Sequence, residues 1–150
     1  MTHARALTVR QPWAGAIFWP VGRKAVENRS WGTGYRGTLA IHAGLTIDEA
    51  GLDVCGPLTA DADRDRGHVI GLVELVDVHD AATEHCGPTE WGCVVDPWAF
   101  WPTEPGQRIV HWMLEQPRRL VTPIKTRGRV GLTEPGPSLA HLLTIAEVHS

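Results

Sequence analysis

The segment that most constrains the fold is Val69–Val78, which is rich in β-branched residues and long enough to be a central strand. Other apolar or alternating segments, at Leu7–Val9, Val26–Trp31, Gly37–His42 and Arg108–Leu120, predict further strands, the last of them interrupted or ended near its proline. Their spacing predicts an α+β fold. We expect a compact, mostly antiparallel β-barrel flanked by helices, formed as a single domain by residues 1–150.

Three helices are predicted around these strands. The first, Pro12–Trp19, begins with a proline, which suits the first turn of a helix. The second follows a capping box with Thr46 at the N-cap and runs to about Val54. The third, Leu139–Val148, has Ser138 as its predicted cap.

The composition predicts a soluble cytoplasmic protein. No apolar run is long enough to cross a membrane, and the first residues lack the apolar region of a signal peptide. The three cysteines, Cys55, Cys86 and Cys93, are too few and odd in number for a disulfide framework, which favours a reducing compartment. We expect no cofactor.

A cluster of histidines and cysteines invites a metal-site interpretation, involving His79, His85, His111, Cys86 and Cys93. The His-Cys pair and the second cysteine, separated from it by six residues, do not have a spacing typical of zinc sites. A fourth ligand is not evident either. The sequence therefore predicts no metal site.

Charge is distributed unevenly along the chain, although the net charge is only −3. Residues 1–42 carry a net +5, residues 43–104 a net −11 and residues 105–150 a net +3. If the two basic ends meet in the fold, one face of an acidic protein becomes positive and attracts nucleic acid. A scatter of solvated charges is the alternative, and charge alone does not decide between them.

Within the basic N-terminal part, a single acid stands between two cations. In an extended segment Glu27 and Arg29 project to the same side, and Lys24 lies just upstream. A carboxylate so flanked stays ionised and can accept from an exocyclic amino group of a base, while the cations can hold phosphate. The alternative is an ordinary ion-pair cluster on a strand.

Three ordered blocks and two later segments are similar to the ASCH (activating-signal-cointegrator homology) domain. The resemblance extends from Leu7 to Leu132 and rests on the segments Leu7–Ala14, Gly22–Trp31, Tyr35–Ala43, Gly71–Asp77 and Trp112–Gly131. It implies a PUA-like β-barrel with a cleft that carries the Lys, Glu and Arg, and a role in binding RNA, DNA or a nucleotide.

The candidate binding residues combine cations with aromatic rings. Trp13 lies at a strand-to-helix junction, where it either stacks on a base or packs in the core, and Trp31 and Tyr35 flank a glycine turn. A basic loop within 123–136 adds further phosphate contacts. The predicted nucleic-acid contacts are Arg10, Gln11, Trp13, Lys24, Glu27, Arg29, Trp31, Tyr35, Arg36, Lys125, Arg127 and Arg129.

An enzymatic function is the alternative to binding. Some small relatives are amidohydrolases of acylated cytidine, and their nucleophile is a threonine three residues after the lysine. Here that position is Glu27, which disfavours this chemistry. Ribonuclease action stays open, with Lys24, Glu27 and His42 as catalytic candidates, because we expect His42 to end a strand beside Val26–Trp31. Binding is the favoured function.

Overall fold

The computed structural model describes residues 3–56, 64–81 and 96–149, and these form a mixed α+β structure. Within them lie six strands and three helices. The strands are β1 (Arg5–Gln11), β2 (Val26–Arg29), β3 (Gly37–Ile47), β4 (His68–Asp80), β5 (Val110–Lys125) and β6 (Leu132–Thr133), and the helices are α1 (Trp13–Ala16), α2 (Glu49–Cys55) and α3 (Pro137–Ile145).

The strands form one sheet in the order β2-β5-β4-β3-β1-β6. β1 pairs with β3 in parallel, whereas β2 with β5 and β1 with β6 are antiparallel pairs. Among the described residues the sheet is open, with β2 and β6 at its edges. The α+β class expected from the sequence is therefore confirmed, while closure into a PUA-like barrel is not shown and stays a prediction.

Two strands, β3 and β5, extend several residues past the C-terminal ends that the sequence pattern indicates. β3 continues past His42 to Ile47, and β5 runs through Pro117 as far as Lys125, into the segment predicted to be a loop. A proline removes one donor from a strand and is tolerated where the pairing is irregular. Gln116, immediately before it, has a φ of 52°, which marks such an irregularity.

The caps of the two longer helices differ from the prediction. Asp48, not Thr46, caps α2, because Thr46 is still part of β3 and the Asp48 carboxylate accepts from Ala50 N and Gly51 N. α3 begins at Pro137, so Ser138 lies inside the helix instead of capping it. A proline in the first turn needs no capping acceptor because it has no N–H.

The chain divides into two compact units, each with its own apolar cluster. Unit 1 comprises Met1–Arg23, Thr38–Val73 and Gln116–Ser150, and unit 2 comprises Lys24–Gly37 and Glu74–Glu115. The cluster in unit 1 consists of the buried residues Ala4, Ala40, Val69, Leu72, Leu120 and Leu143. The cluster in unit 2 is formed by Val26 and Ala99, with Trp98, Trp101 and Met113 packed against them.

The single-domain organisation expected from the sequence stays a prediction. None of the helices in the described part of the chain is both long enough and apolar enough to cross a membrane.

Candidate functional site

The Lys24–Glu27–Arg29 cluster is a closed ion-pair network inside unit 2. Lys24 and Glu27 are 1% and 6% exposed. Lys24 Nζ donates to Glu27 Oε1 at 2.5 Å and to the Val26 carbonyl at 2.6 Å. Arg29 Nε lies 3.0 Å from the other Glu27 oxygen, Oε2. Glu27 and Arg29 therefore lie close enough on the strand to form an ion pair.

The carboxyl group of Glu27 stays ionised although it is buried. Burial raises its pKa, but the charges of Lys24 and Arg29, together with hydrogen bonds from both, outweigh that effect and lower the pKa overall. Each partner therefore stabilises the ionised form. Only Arg29, with 21% of its side chain exposed, reaches the surface of this network.

Trp31, Tyr35 and Arg36 also belong to unit 2. Trp31 packs edge-on against the buried Trp112, with ring centroids 4.9 Å apart, and its carbonyl accepts from the Trp112 indole N–H. The guanidinium of Arg36 donates to the carbonyls of Thr33 and Tyr35 in exposed hydrogen bonds. One part of Trp31 is therefore committed to the interior, while Arg36 remains at the surface.

The second cationic group is the loop that follows β5 in unit 1. Lys125, Arg127 and Arg129 are all exposed, and none of them forms an ion pair with the residues that the structure describes. Backbone hydrogen bonds hold the loop: Thr126 N donates to the Gly67 carbonyl at 3.1 Å, and Arg129 N donates to Thr8 Oγ1 at 3.3 Å. The three charges are therefore carried on a backbone that is anchored at two points.

His42 adds a third anchor to this loop. It is 2% exposed, and its Nε2 donates to the Thr126 carbonyl at 2.8 Å, which leaves Nδ1 to accept from Thr8 Oγ1 at 3.3 Å. The expectation that its strand ends there and borders β2 is wrong, because β3 continues and the order β2-β5-β4-β3 separates the two strands. An alternating pattern alone does not determine strand order.

Two pockets open beside the loop. One has a volume of about 600 Å³ and is lined by Thr8, His42, Leu45, Gly67, Arg127 and Gly128, among others. A smaller pocket of about 190 Å³ includes both Arg127 and Arg129 in its walls. Gly128 lies against the His42 ring so closely that a Cβ there would stand 2.8 Å from His42 Cε1. The glycine thus allows the loop to pack onto the histidine.

The predicted contacts at the first strand-to-helix junction are engaged within unit 1. Trp13 Nε1 donates to Asp48 Oδ2 at 2.8 Å, and the buried Gln11 accepts from Gly15 N through Oε1, also at 2.8 Å. The Trp13 hydrogen bond is the largest influence that lowers the pKa of Asp48; burial opposes it, and the helix N–H groups and Arg10 add to the lowering. These contacts favour packing as the role of Trp13. Arg10 is exposed.

A family model for the ASCH domain matches residues 7–124. The chain belongs to the ASCH family. The structure is also similar to the crystal structure of ASCH from Zymomonas mobilis, with a TM-score of 0.61 and 16% identity over 97% of this chain and 96% of that chain. Crystal structures of two single-residue variants of the Zymomonas mobilis protein, one Tyr-to-Phe and one Ser-to-Ala, align with TM-scores of 0.60 and 0.59. Each is 15% identical over 97% of this chain, and the alignments cover 99% and 97% of the variant chains.

At this level of identity the structural likeness shows the fold alone. A search of curated proteins finds no match to the sequence. The predicted site residues of this ASCH domain divide between the two units, with Arg10, Gln11, Trp13, His42 and the loop residues in unit 1 and the others in unit 2.

Two histidines of the cluster considered from the sequence, His79 and His111, belong to a polar array in unit 2 that also includes Asp77, which the sequence pattern did not indicate. Asp77 Oδ2 lies 2.6 Å from His79 Nδ1, His79 Nε2 lies 3.3 Å from His111 Nδ1, and His111 Nε2 donates to the Phe100 carbonyl at 2.7 Å. The detectable signal was Asp-x-His on one face of a strand.

Burial lowers the pKa of His111, and this effect, with that of His79, outweighs the opposing influence of Phe100 and Asp96. The other members of the predicted cluster, His85, Cys86 and Cys93, lie outside the described residues. Among residues 3–56, 64–81 and 96–149 no three His, Cys, Asp or Glu side chains form a metal-binding group.

Proposed function

We propose that this ASCH domain binds nucleic acid, RNA or DNA, or a nucleotide derived from them, through the loop of Lys125, Arg127 and Arg129. The observation that carries the proposal is the exposure of all three cations on an anchored backbone beside two pockets. Cations that form no ion pair with the described part of the chain remain available for phosphate, and neutralising phosphates supplies most of the affinity for nucleic acid.

Anchoring of the loop matters because a mobile chain loses conformational freedom on binding. Thr126 is held by Gly67 and His42, and Arg129 is held by Thr8. The loop backbone is therefore already ordered, and little further conformational entropy is lost when a ligand binds. ASCH domains as a family are broadly linked to nucleic-acid interaction, which agrees with this use of the loop.

In unit 2 we assign further contacts to Arg29, Trp31, Tyr35 and Arg36. Arg29 and Arg36 reach the surface, and Trp31 and Tyr35 are only partly buried, so a base can stack on the exposed part of a ring. Lys24 and Glu27 act indirectly in this proposal. Their network holds Arg29, because the carboxylate that accepts from Lys24 also pairs with the guanidinium.

A hydrolase function receives less support from the geometry. Lys24 Nζ donates to Glu27 and to the Val26 carbonyl, so it is engaged in the interior. His42 has both ring nitrogens in hydrogen bonds. Both side chains are thus committed to the fold, and the nucleophile position is occupied by a carboxylate.

The test compares two charge-matched double variants in fluorescence anisotropy with labelled single- and double-stranded RNA and DNA. Arg127→Gln/Arg129→Gln removes two loop cations. Arg64→Gln/Arg108→Gln removes two exposed cations elsewhere and changes the net charge equally.

We expect the loop variant to weaken binding about 10- to 100-fold and to reduce the salt slope by roughly 1.4–1.8, the contribution of two phosphate contacts. The control should bind like the wild type. Equal binding by both variants would show that the loop is not the contact surface.

A further inference from the structure

The two pockets beside the basic loop adjoin each other. The residues that line both of them are Thr8, His42, Thr126 and Arg127. The other two loop cations are divided, because Lys125 lines only the larger pocket and Arg129 lines only the smaller one. All the lining residues belong to unit 1. A single ligand that extends past the shared wall can therefore occupy both pockets and meet cations in each.

The larger pocket has the size and surface of a site for a flat organic group. Its volume of about 600 Å³ lies within the range of small-molecule sites, about 300–1,000 Å³. Gly44, Gly67 and Gly128 line it with backbone alone, and Leu45, which also lines it, is 73% exposed. A base that covers Leu45 removes apolar surface from water, which stabilises the complex.

The smaller pocket has the size and charge of a phosphate site. Its volume of about 190 Å³ is below the range for whole small molecules, and its wall contains both Arg127 and Arg129. The carboxylate in this wall, Glu134, is paired with Arg5 at 3.4 Å. Two guanidinium groups suit a phosphate monoester, which offers three terminal oxygens and carries a charge of about −1.5 to −2 at pH 7. An internal phosphodiester offers fewer oxygens and a single charge.

We propose that the two pockets form one site for a nucleotide that ends in a phosphate monoester, with the base in the larger pocket and the phosphate in the smaller one. The inference rests on the proposed function, because it assigns a ligand class to the same loop. It is narrower, since the smaller pocket is too small for a further nucleotide beyond the phosphate. The ligand is either a free nucleoside monophosphate or the phosphorylated end of a single strand. A paired base would first have to leave its stack, which costs binding energy.

The experiment measures how much a terminal phosphate strengthens binding. A short single strand with an internal label carries a 5′-phosphate, a 3′-phosphate or hydroxyl groups at both ends, and fluorescence anisotropy gives its affinity for the full chain. Calorimetry with the four nucleoside 5′-monophosphates and with adenosine tests the free nucleotide as the ligand. A phosphorylated strand whose terminal residue lacks its base tests the larger pocket.

Three variants separate the two pockets. Arg129→Gln removes a cation from the smaller pocket, and Lys125→Gln is its charge-matched control, because it removes a cation from the larger pocket alone. Leu45→Ser changes an exposed side chain and should leave the fold intact.

We expect a phosphate at one of the two ends, or on a free nucleoside, to tighten binding about 10- to 100-fold over the hydroxyl form. Arg129→Gln should reduce this preference below about threefold, whereas Lys125→Gln should weaken both forms and preserve their ratio. Loss of the terminal base and Leu45→Ser should each weaken binding severalfold, and together no further than either alone.

Three outcomes would overturn the inference. Equal affinity for the phosphorylated and hydroxyl forms would do so while leaving nucleic-acid binding by the loop intact. An equal fall of the preference in Lys125→Gln and Arg129→Gln would show general attraction to the loop in place of a phosphate pocket. Failure of every strand and every monophosphate to bind would overturn the proposed function as well. Binding of monophosphates alone, or of phosphorylated strands alone, would support the inference and identify the source of the nucleotide.

Discussion

Two cationic groups of this protein look alike in sequence and differ entirely in structure. Lys24 and Arg29 bracket one carboxylate and form a network in which Lys24 and Glu27 are almost inaccessible. Lys125, Arg127 and Arg129 stand on the surface of a loop that is held by its backbone. In the first group Lys24 is engaged in the interior and only Arg29 reaches the surface, whereas all three cations of the second group are exposed.

The difference shows that a charge and its neighbours in sequence do not define its role. A buried cation loses its hydration and must recover that cost from a partner, so it is tied to the fold. An exposed cation keeps its hydration, contributes little to stability and can exchange water for phosphate. Removing charges from the two groups should therefore separate stability from binding.

The largest effect is expected at the buried network. Glu27→Leu leaves Lys24 buried without its carboxylate, and we expect the free energy of unfolding to fall by about 3–5 kcal/mol. The double variant Lys24→Met/Glu27→Leu should recover much of that loss, because it removes both charges. Urea unfolding measures the free energy of unfolding of the single and the double variant. The reference is Arg127→Gln/Arg129→Gln, whose free energy of unfolding we expect within about 0.5 kcal/mol of the wild type. If Glu27→Leu is as stable as this reference, the network is not a buried one.

A substitution at Gly128 should lower stability less, but it should also weaken nucleic-acid binding. A Cβ there would meet the buried His42 ring at 2.8 Å and Thr8 Oγ1 at 3.1 Å, so the loop must shift. Gly128→Ala should cost about 1–3 kcal/mol and weaken nucleic-acid binding severalfold, although no charge changes. Gly34→Ala, where nothing lies within 4 Å, should have neither effect. Wild-type affinity in Gly128→Ala would mean that the loop needs no fixed geometry.

Acid should weaken the buried network before it affects the exposed loop. The folded-state pKa of Glu27 is below its ordinary value of 4.5, so the unfolded chain takes up the proton first as pH falls. Its contribution to stability is thus complete above about pH 4.5 and is lost as the pH falls through the lowered folded value. Thermal unfolding from about pH 7 to about pH 3 should show this loss, and Glu27→Gln should show a flatter profile. Identical pH profiles of stability for the wild type and Glu27→Gln would contradict this role of the Glu27 carboxylate.

The smallest effect is expected at Trp13, where packing and base stacking are the alternatives. Trp13→Phe keeps an aromatic face but removes the N–H that donates to Asp48. We expect a loss of roughly 0.5–1.5 kcal/mol in stability and unchanged affinity for nucleic acid. Trp31→Phe, in unit 2, is the comparison, since its indole face is assigned to base contact. A larger loss of affinity in Trp13→Phe than in Trp31→Phe would reverse the two assignments.

Much of the secondary structure could be predicted from local pattern. The β-branched run at Val69–Val78 lies within β4, and Val26–Trp31 contains β2, because alternation and propensity are local properties. The ends of the strands and helices were less predictable from the sequence. Thr46 and Glu49 fit a capping box, but pairing of β3 with β1 extends to Ile47, so the cap moves to Asp48. Tertiary pairing overrode a local signal there.

The family, the α+β class and the closeness of Glu27 to its two cations follow from the amino-acid sequence alone, since three or fewer positions separate these charged residues along one segment. The folded structure was needed to learn which charges are buried, which strands border the strand of His42, and that His79 on β4 contacts His111 on β5. The physical reason is that burial, strand order and contacts between distant residues arise from long-range packing, which the chain's local pattern does not encode.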